Sequence, residues 1–116
     1  MKKILVVDDE EDNLSTVKSI LERAGYSVYT AISGDDALKK LAPDTDLILL
    51  DIMMPGTPVK EVVKKIKGIK ILFFSVVRTT EAQKEQLLTQ KNIIGYIQKP
   101  FEIKDMLAQV KKALGK

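Results

Sequence analysis

Three aspartates fall where apolar runs end, and a lysine-proline pair follows another such run. Asp8 and Asp9 close Ile4-Leu5-Val6-Val7, Asp51 closes Leu47-Ile48-Leu49-Leu50, and Lys99-Pro100 follows Ile93-Ile94-Gly95-Tyr96-Ile97. Parallel strands bring their carboxyl ends to one edge of a sheet, and ligands bind in the crevice there. The pattern therefore gathers negative charges and one ammonium at a single point. Carboxylates held close together repel one another, and a divalent, oxygen-seeking cation is the simplest relief.

The elements needed to position these groups alternate along the chain. Apolar runs over Lys3–Asp8, Asp46–Asp51, Ile69–Ser75 and Ile93–Gln98 predict buried strands, and Tyr26–Ala31 predicts another, with partial alternation. Helical spacing puts Leu14, Val17, Ile20, Leu21 and Ala24 on one stripe over Asp12–Ala24, stopped by Gly25. Ser33 is placed to cap a short helix that turns Ala37, Leu38 and Leu41 inward and ends at Pro43. Val59, Val62, Val63 and Ile66 mark a third helix ended by Gly68. Thr80-Glu81-Ala82-Gln83 reads as a capping box opening a fourth, to Lys91, whose apolar content is thin: Ala82, Leu87 and Leu88. Ile103, Met106, Leu107, Val110 and Leu114 stripe the last. Strands alternating with helices predict an α/β protein whose parallel sheet is covered on both faces. If the strand order is 2-1-3-4-5, the switch point falls between the strands that carry Asp8, Asp9 and Asp51.

Bulk properties narrow the rest. At 116 residues, residues 1–116 are expected to form one domain. There is no cysteine and no histidine, which excludes disulfides, thiolate or imidazole metal sites and a phosphohistidine of its own. No apolar run approaches the length of a bilayer span, and Met-Lys-Lys-Ile leads straight into the first strand without the features of a leader, so a soluble, cytoplasmic protein with no membrane insertion is expected. The net charge is +3, with lysines spread through segments read as helical, among them Lys60, Lys64, Lys65, Lys67 and Lys70. Such lysines read as a solvated face rather than a nucleic-acid patch, since no basic segment is interleaved with aromatics.

Taken together, Val6-Val7-Asp8-Asp9-Glu10, Asp51-Ile52-Met53-Met54-Pro55-Gly56, Ser75, and Tyr96 with Lys99-Pro100-Phe101 resemble the response-regulator receiver domain of two-component signalling. The match runs the full length of the chain in the right order. It implies a flavodoxin-like fold, a doubly wound five-stranded parallel sheet in the order 2-1-3-4-5 with five helices. That order is taken from the family, whose chemotaxis regulator is a standard example of it. By resemblance, Asp51 accepts a phosphoryl group from a partner histidine kinase or phosphotransfer protein. Asp9 binds Mg²⁺ directly and Asp8 through water, with Asp51 and the backbone carbonyl of Met53 completing the protein's share. Lys99 and the Ser75 hydroxyl pair with phosphoryl oxygens, and Ser75 and Tyr96 form the coupled switch. The output leaves by the face of the fourth helix, fifth strand and fifth helix. The Lys99-Pro100 bond is expected to be cis. The protein is then a signalling domain that catalyses only its own phosphorylation and slow dephosphorylation.

Each residue also has an ordinary reading: an acidic turn starting a helix, a strand-end hydroxyl, a packed tyrosine, a solvated lysine. These must all hold at once, at four strand ends, to displace the functional one. Three features depart from the family. Val76 stands where Ala or Gly is usual, Pro58-Val59 replaces Asp-Gly, and Ser75 replaces the commoner Thr. The rivals are a receiver-like module that signals by binding alone, a flavin-binding module and an aspartyl-phosphate hydrolase. Asp8-Asp9-Glu10-Glu11-Asp12 repels the phosphate that a flavin module must cradle, and Met53 stands where a hydrolase needs its second carboxylate. The chain stops just past the last helix, as either a stand-alone regulator or one domain of a longer protein.

Overall fold

A computed structural model describes residues 1–52, 59–75, 90–98 and 102–115. In chain order the elements are β1 (Lys3–Val7), α1 (Glu11–Arg23), β2 (Ser27–Ala31), α2 (Gly34–Lys40), β3 (Leu47–Asp51), α3 (Val59–Lys65), β4 (Lys70–Ser75), β5 (Ile93–Gln98) and α4 (Ile103–Ala113). The five strands form one sheet in the order β2-β1-β3-β4-β5, and every pair is parallel. This is the doubly wound, flavodoxin-like arrangement expected.

Alternation along the central strands builds two cores. Ile4, Val6, Leu47, Leu49, Leu72 and Phe74 join Leu14, Val17 and Leu21 of α1 and Met106 and Val110 of α4 on one face. Leu5, Val7, Ile48, Leu50, Ile71 and Phe73 join Ala37 of α2 and Val62, Val63 and Ile66 around α3 on the other. With both faces covered, neither parity of a strand meets water, so the central strands read as unbroken apolar runs rather than alternating ones. Leu47, Ile48, Leu49 and Leu50 are all buried.

Local chemistry sets the ends. The Ser33 Oγ accepts the Asp36 N–H at 3.0 Å, which starts α2. Gly25 adopts a φ of +99° just past α1, a conformation that a side chain disfavours. Gly34 lets α2 lie against α3: a Cβ there would fall 2.5 Å from the Val62 Cγ2.

Several expectations shift. Tyr26 is not in β2; it is buried, and its N–H donates to the Leu21 carbonyl at 3.1 Å, closing the turn after α1. Ala24 is exposed as the C-cap of α1 rather than part of its inward stripe, because the turn to Gly25 ends the periodicity there. Ile103 is 55% exposed, since the first residue of α4 precedes the point where the helix meets the sheet. Lys70 opens β4, inside the strand expected over Ile69–Ser75 and not on a helix with the other lysines, and its Nζ donates to the Ala113 carbonyl at 2.7 Å. Four helices occur among the described residues. The helix expected from Thr80 lies outside them, apart from Gln90 and Lys91 at its expected end, which belong to the turn before β5.

Candidate functional site

Strand geometry brings the acids together. Asp8 follows β1 directly, and its N–H still donates to the Ala31 carbonyl of β2 at 3.1 Å. Asp51 is the last residue of β3, and Val7 pairs with Leu50 in the register between the two strands. Carboxylate oxygens of Asp8, Asp9 and Asp51 all lie within 4.8 Å of one another. Asp8 is fully buried and Asp51 is 6% exposed, whereas Asp9 is open to solvent. Two carboxylates out of water beside a third are costly unless hydrogen bonds or a cation answer them.

Part of the answer is local. The Asp8 Oδ1 accepts the Glu10 backbone N–H at 3.0 Å, and its Oδ2 accepts the Asn13 side-chain amide at 3.3 Å. The same Asn13 nitrogen lies 3.5 Å from the Glu10 Oε2. Asn13 is on the first turn of α1, so the helix start that follows Asp8-Asp9 also delivers a donor back to Asp8. Sequence reasoning passed over Asn13. The available signal was an uncharged amide within an acidic stretch, five residues after Asp8, where a helix turn returns it to the strand end.

The remaining residues separate into two groups. Ser75 ends β4, and its backbone pairs with Gln98 of β5; Tyr96 pairs with Phe73 and is half-buried against the core on the α2–α3 face. The acids and the ends of β4 and β5 thus share one edge of the sheet, Asp51 pairing with Phe74 one residue before Ser75. Lys99, Met53, Val76, Pro58 and the Lys99-Pro100 bond lie outside the described residues. An all-oxygen, all-carboxylate donor set with this spacing suits a hard divalent cation such as Mg²⁺.

Sheet order and site together define a doubly wound α/β protein with an acidic centre at its topological switch point. The chain belongs to the response regulator receiver domain family, whose model matches residues 4–111. It is 39% identical to the alkaline phosphatase synthesis transcriptional regulatory protein PhoP of Bacillus subtilis, over 97% of this chain and 48% of that protein. It is 31% identical to the response regulator SaeR of Staphylococcus epidermidis, over 100% of this chain and 52% of that protein. The chain therefore spans about half the length of these curated relatives. Among solved structures it superposes on the response regulator TrrA of Thermotoga maritima, in complex with Mg²⁺-BeF, with a TM-score of 0.82 and 36% identity, covering 98% of this chain and 100% of that one. Chemotaxis protein CheY4 of Vibrio cholerae gives 0.82 at 31% identity, covering 98% and 99%. A CheY-like receiver domain protein of Methanospirillum hungatei gives 0.86 at 30%, covering 99% and 94%.

The chain is thus a receiver domain of two-component response regulators, a signalling domain, and its acidic cluster fits the phosphoacceptor site of such a domain. Response regulators receive their signal from histidine kinases, and receiver domains bind Mg²⁺ through an acidic cluster. Among the described residues, no helix is long and apolar enough to cross a membrane.

Proposed function

We propose that Asp51 is the phosphoacceptor. A carboxylate oxygen of Asp51 attacks the phosphorus of a phosphohistidine on a partner kinase or phosphotransfer protein. The new O–P bond gives an acyl phosphate, the P–N bond breaks, and the imidazole leaves with the electron pair and takes up a proton. The domain catalyses this step and the slow dephosphorylation that follows, in which water attacks the acyl phosphate, the Asp51 carboxylate is restored and inorganic phosphate leaves. The observation that carries the reading is the meeting of Asp51, Asp8 and Asp9 oxygens within 4.8 Å at the end of β3.

Asp8, Asp9, Asp51 and the Met53 carbonyl are the proposed holders of Mg²⁺. When bound, the cation offsets the repulsion between an anionic nucleophile and an anionic phosphoryl donor. The likeness to TrrA, solved with Mg²⁺-BeF, supports that assignment. Lys99 and Ser75 are assigned to phosphoryl oxygens, the first as a compact point charge and the second as a hydroxyl donor. Ser75 and Tyr96 are the proposed switch, working on the surface built from the segment 80–91, β5 and α4. The unit is taken as residues 1–116, acting in the cytoplasm on a protein partner without touching nucleic acid itself.

Mass spectrometry after incubation with a small phosphodonor and Mg²⁺ tests the central step. One added phosphoryl group is expected on the wild-type chain and none on Asp51→Asn, which keeps the shape and removes the nucleophilic charge. Full labelling of Asp51→Asn, or an unlabelled wild type, would overturn it.

A further inference from the structure

Asn13 is the neutral side chain whose amide nitrogen is shared between the carboxylates of Asp8 and Glu10, at 3.3 and 3.5 Å. A primary amide carries two N–H donors, one for each acceptor. Asp8 is fully buried, and its other oxygen is already engaged by the Glu10 N–H at 3.0 Å. With one oxygen held from the backbone and the other from α1, the rotation of the Asp8 carboxylate about its own axis is set. Asp9, by contrast, is exposed. We propose that Asn13 is a positioning residue of the acidic site: it orients the buried Asp8 carboxylate and tethers Glu10, so that Asp8, Asp9 and Asp51 stand ready for a divalent cation. This rests on the reading that these acids hold Mg²⁺.

The physical reason for an amide here is charge. A lysine would neutralise Asp8 and compete with the cation for it. A carboxylate would add repulsion to three acids already within 4.8 Å. An apolar residue would leave the Asp8 Oδ2 without this donor. An amide supplies directed hydrogen bonds with no net charge, so it fixes geometry and leaves the cluster's attraction for a cation intact. Groups that orient a metal ligand in this way typically change metal affinity by about 10- to 100-fold when removed. Asn13 is anchored by the α1 backbone, while Leu14 and Val17 bury the helix, so its placement does not depend on the cation.

Calorimetric titration of the full chain with Mg²⁺ tests this. Asn13→Leu keeps the bulk and removes the donors; its affinity is expected to fall about tenfold. Asn13→Gln keeps the amide on a longer stem and is expected to recover most of that loss. Asn13→Leu also removes a donor from a buried carboxylate and should lower the metal-free thermal midpoint, so affinities are read well below that midpoint, where every variant is folded. A merely structural role would lower the midpoint and leave the Mg²⁺ affinity of the folded chain unchanged. Asn13→Ala serves the same comparison should the leucine variant misfold. Equal Mg²⁺ affinity in wild type, Asn13→Leu and Asn13→Ala would overturn the inference while leaving the metal site standing. Failure of the wild type to bind Mg²⁺, or an Asp9→Ala variant that binds as well as wild type, would instead remove the underlying reading, and the inference with it.

Discussion

Asp9 is the carboxylate of the cluster that faces solvent, so it can change without creating a void. Asp9→Ala removes one of three close carboxylates and with it both charge and a ligand oxygen. Its Mg²⁺ affinity, read by titration, should drop by at least about tenfold, while the fold is unaffected. Unchanged binding would mean that Asp8-Asp9 serves only as the start of α1. Val76 belongs to the same scale. Val76→Ala should speed phosphoryl uptake, hydrolysis or both, because it replaces a stiff β-branched residue with the small one usual in the family at this position. Identical rates in stopped-flow measurements would show that the valine turns away from the pocket. Asp36 shows a separate residue-level effect. The Ile32 N–H, donating at 3.0 Å, holds its carboxyl below the usual carboxylate range, and Lys40 at 3.1 Å adds to this. A depressed folded value means stability that is present above the unfolded value, near pH 4, and is lost as pH falls through the folded one. Asp36→Asn should therefore flatten the acid side of a thermal-stability profile, less so at high salt.

Among elements, the junction of α3 with β5 rests on two side-chain amides. Asn92 donates to the Ile66 and Ile69 carbonyls at 3.0 and 2.9 Å, and Gln90 donates to the Val63 carbonyl at 2.9 Å. These are carbonyls at the C-terminal end of α3 and in the turn after it, where intrahelical partners run out; Val63 keeps one backbone donor, the Ile66 N–H at 3.1 Å. Asn92→Ala should cost about 1–3 kcal/mol in denaturant unfolding, and wild-type stability in that variant would show that water replaces the amide without loss. The α2–α3 contact is equally specific. A methyl on Gly34 meets Val62 inside the core, so Gly34→Ala should cost about 1–3 kcal/mol through overpacking. Next to these, the register between β4 and β5 shifts: Ile71 pairs with Ile93 but Leu72 with Gly95. The extra residue, Ile94, is left 41% exposed on the edge strand. A bulge there re-aims the strand before Tyr96 and makes the edge a poorer template for pairing with another chain.

At the scale of the whole molecule, the sheet is a plate with chemistry at one edge and ties at the other. Asp8, Asp9 and Asp51 lie at the carboxyl edge, while the Lys3 N–H on the Asp46 carboxylate, the Asp46 N–H on the Lys3 carbonyl, the Lys3–Asp44 ion pair at 3.1 Å and the Gln90–Asn92 amides close the opposite one. A phosphoryl group on Asp51 adds charge only at the first edge. The response should therefore spread along Ser75–Lys91 and Tyr96–Phe101 and leave α1 and β2 least changed. Amide exchange with and without beryllofluoride and Mg²⁺ checks this. A response confined to the loops around the acids would defeat the switching surface and favour a module that acts by binding alone.

Much of this was legible in the chain because it depends on local rules. Apolar runs ending in acid marked β1 and β3, Ser33 marked the start of α2, and Gly25 marked the end of α1. The order of strands and acids then carried the family likeness. What needed the tertiary structure was everything set by contact between distant segments. Asn13 drew no reading from the sequence, because only the turn from Asp8 into α1 brings its amide back to a buried carboxylate. Lys70 falls within the strand expected over Ile69–Ser75, but nothing in the sequence reveals that its ammonium reaches the Ala113 carbonyl, 43 residues away. Ile103 fitted the periodicity of α4 yet stays exposed, since periodicity names a face and only packing decides how far along the helix that face is covered. Hydrophobic pattern and capping chemistry act within a few residues and can be read from them. Burial, register and the partners of a polar group follow from how the layers close on one another, and only the folded chain decides those.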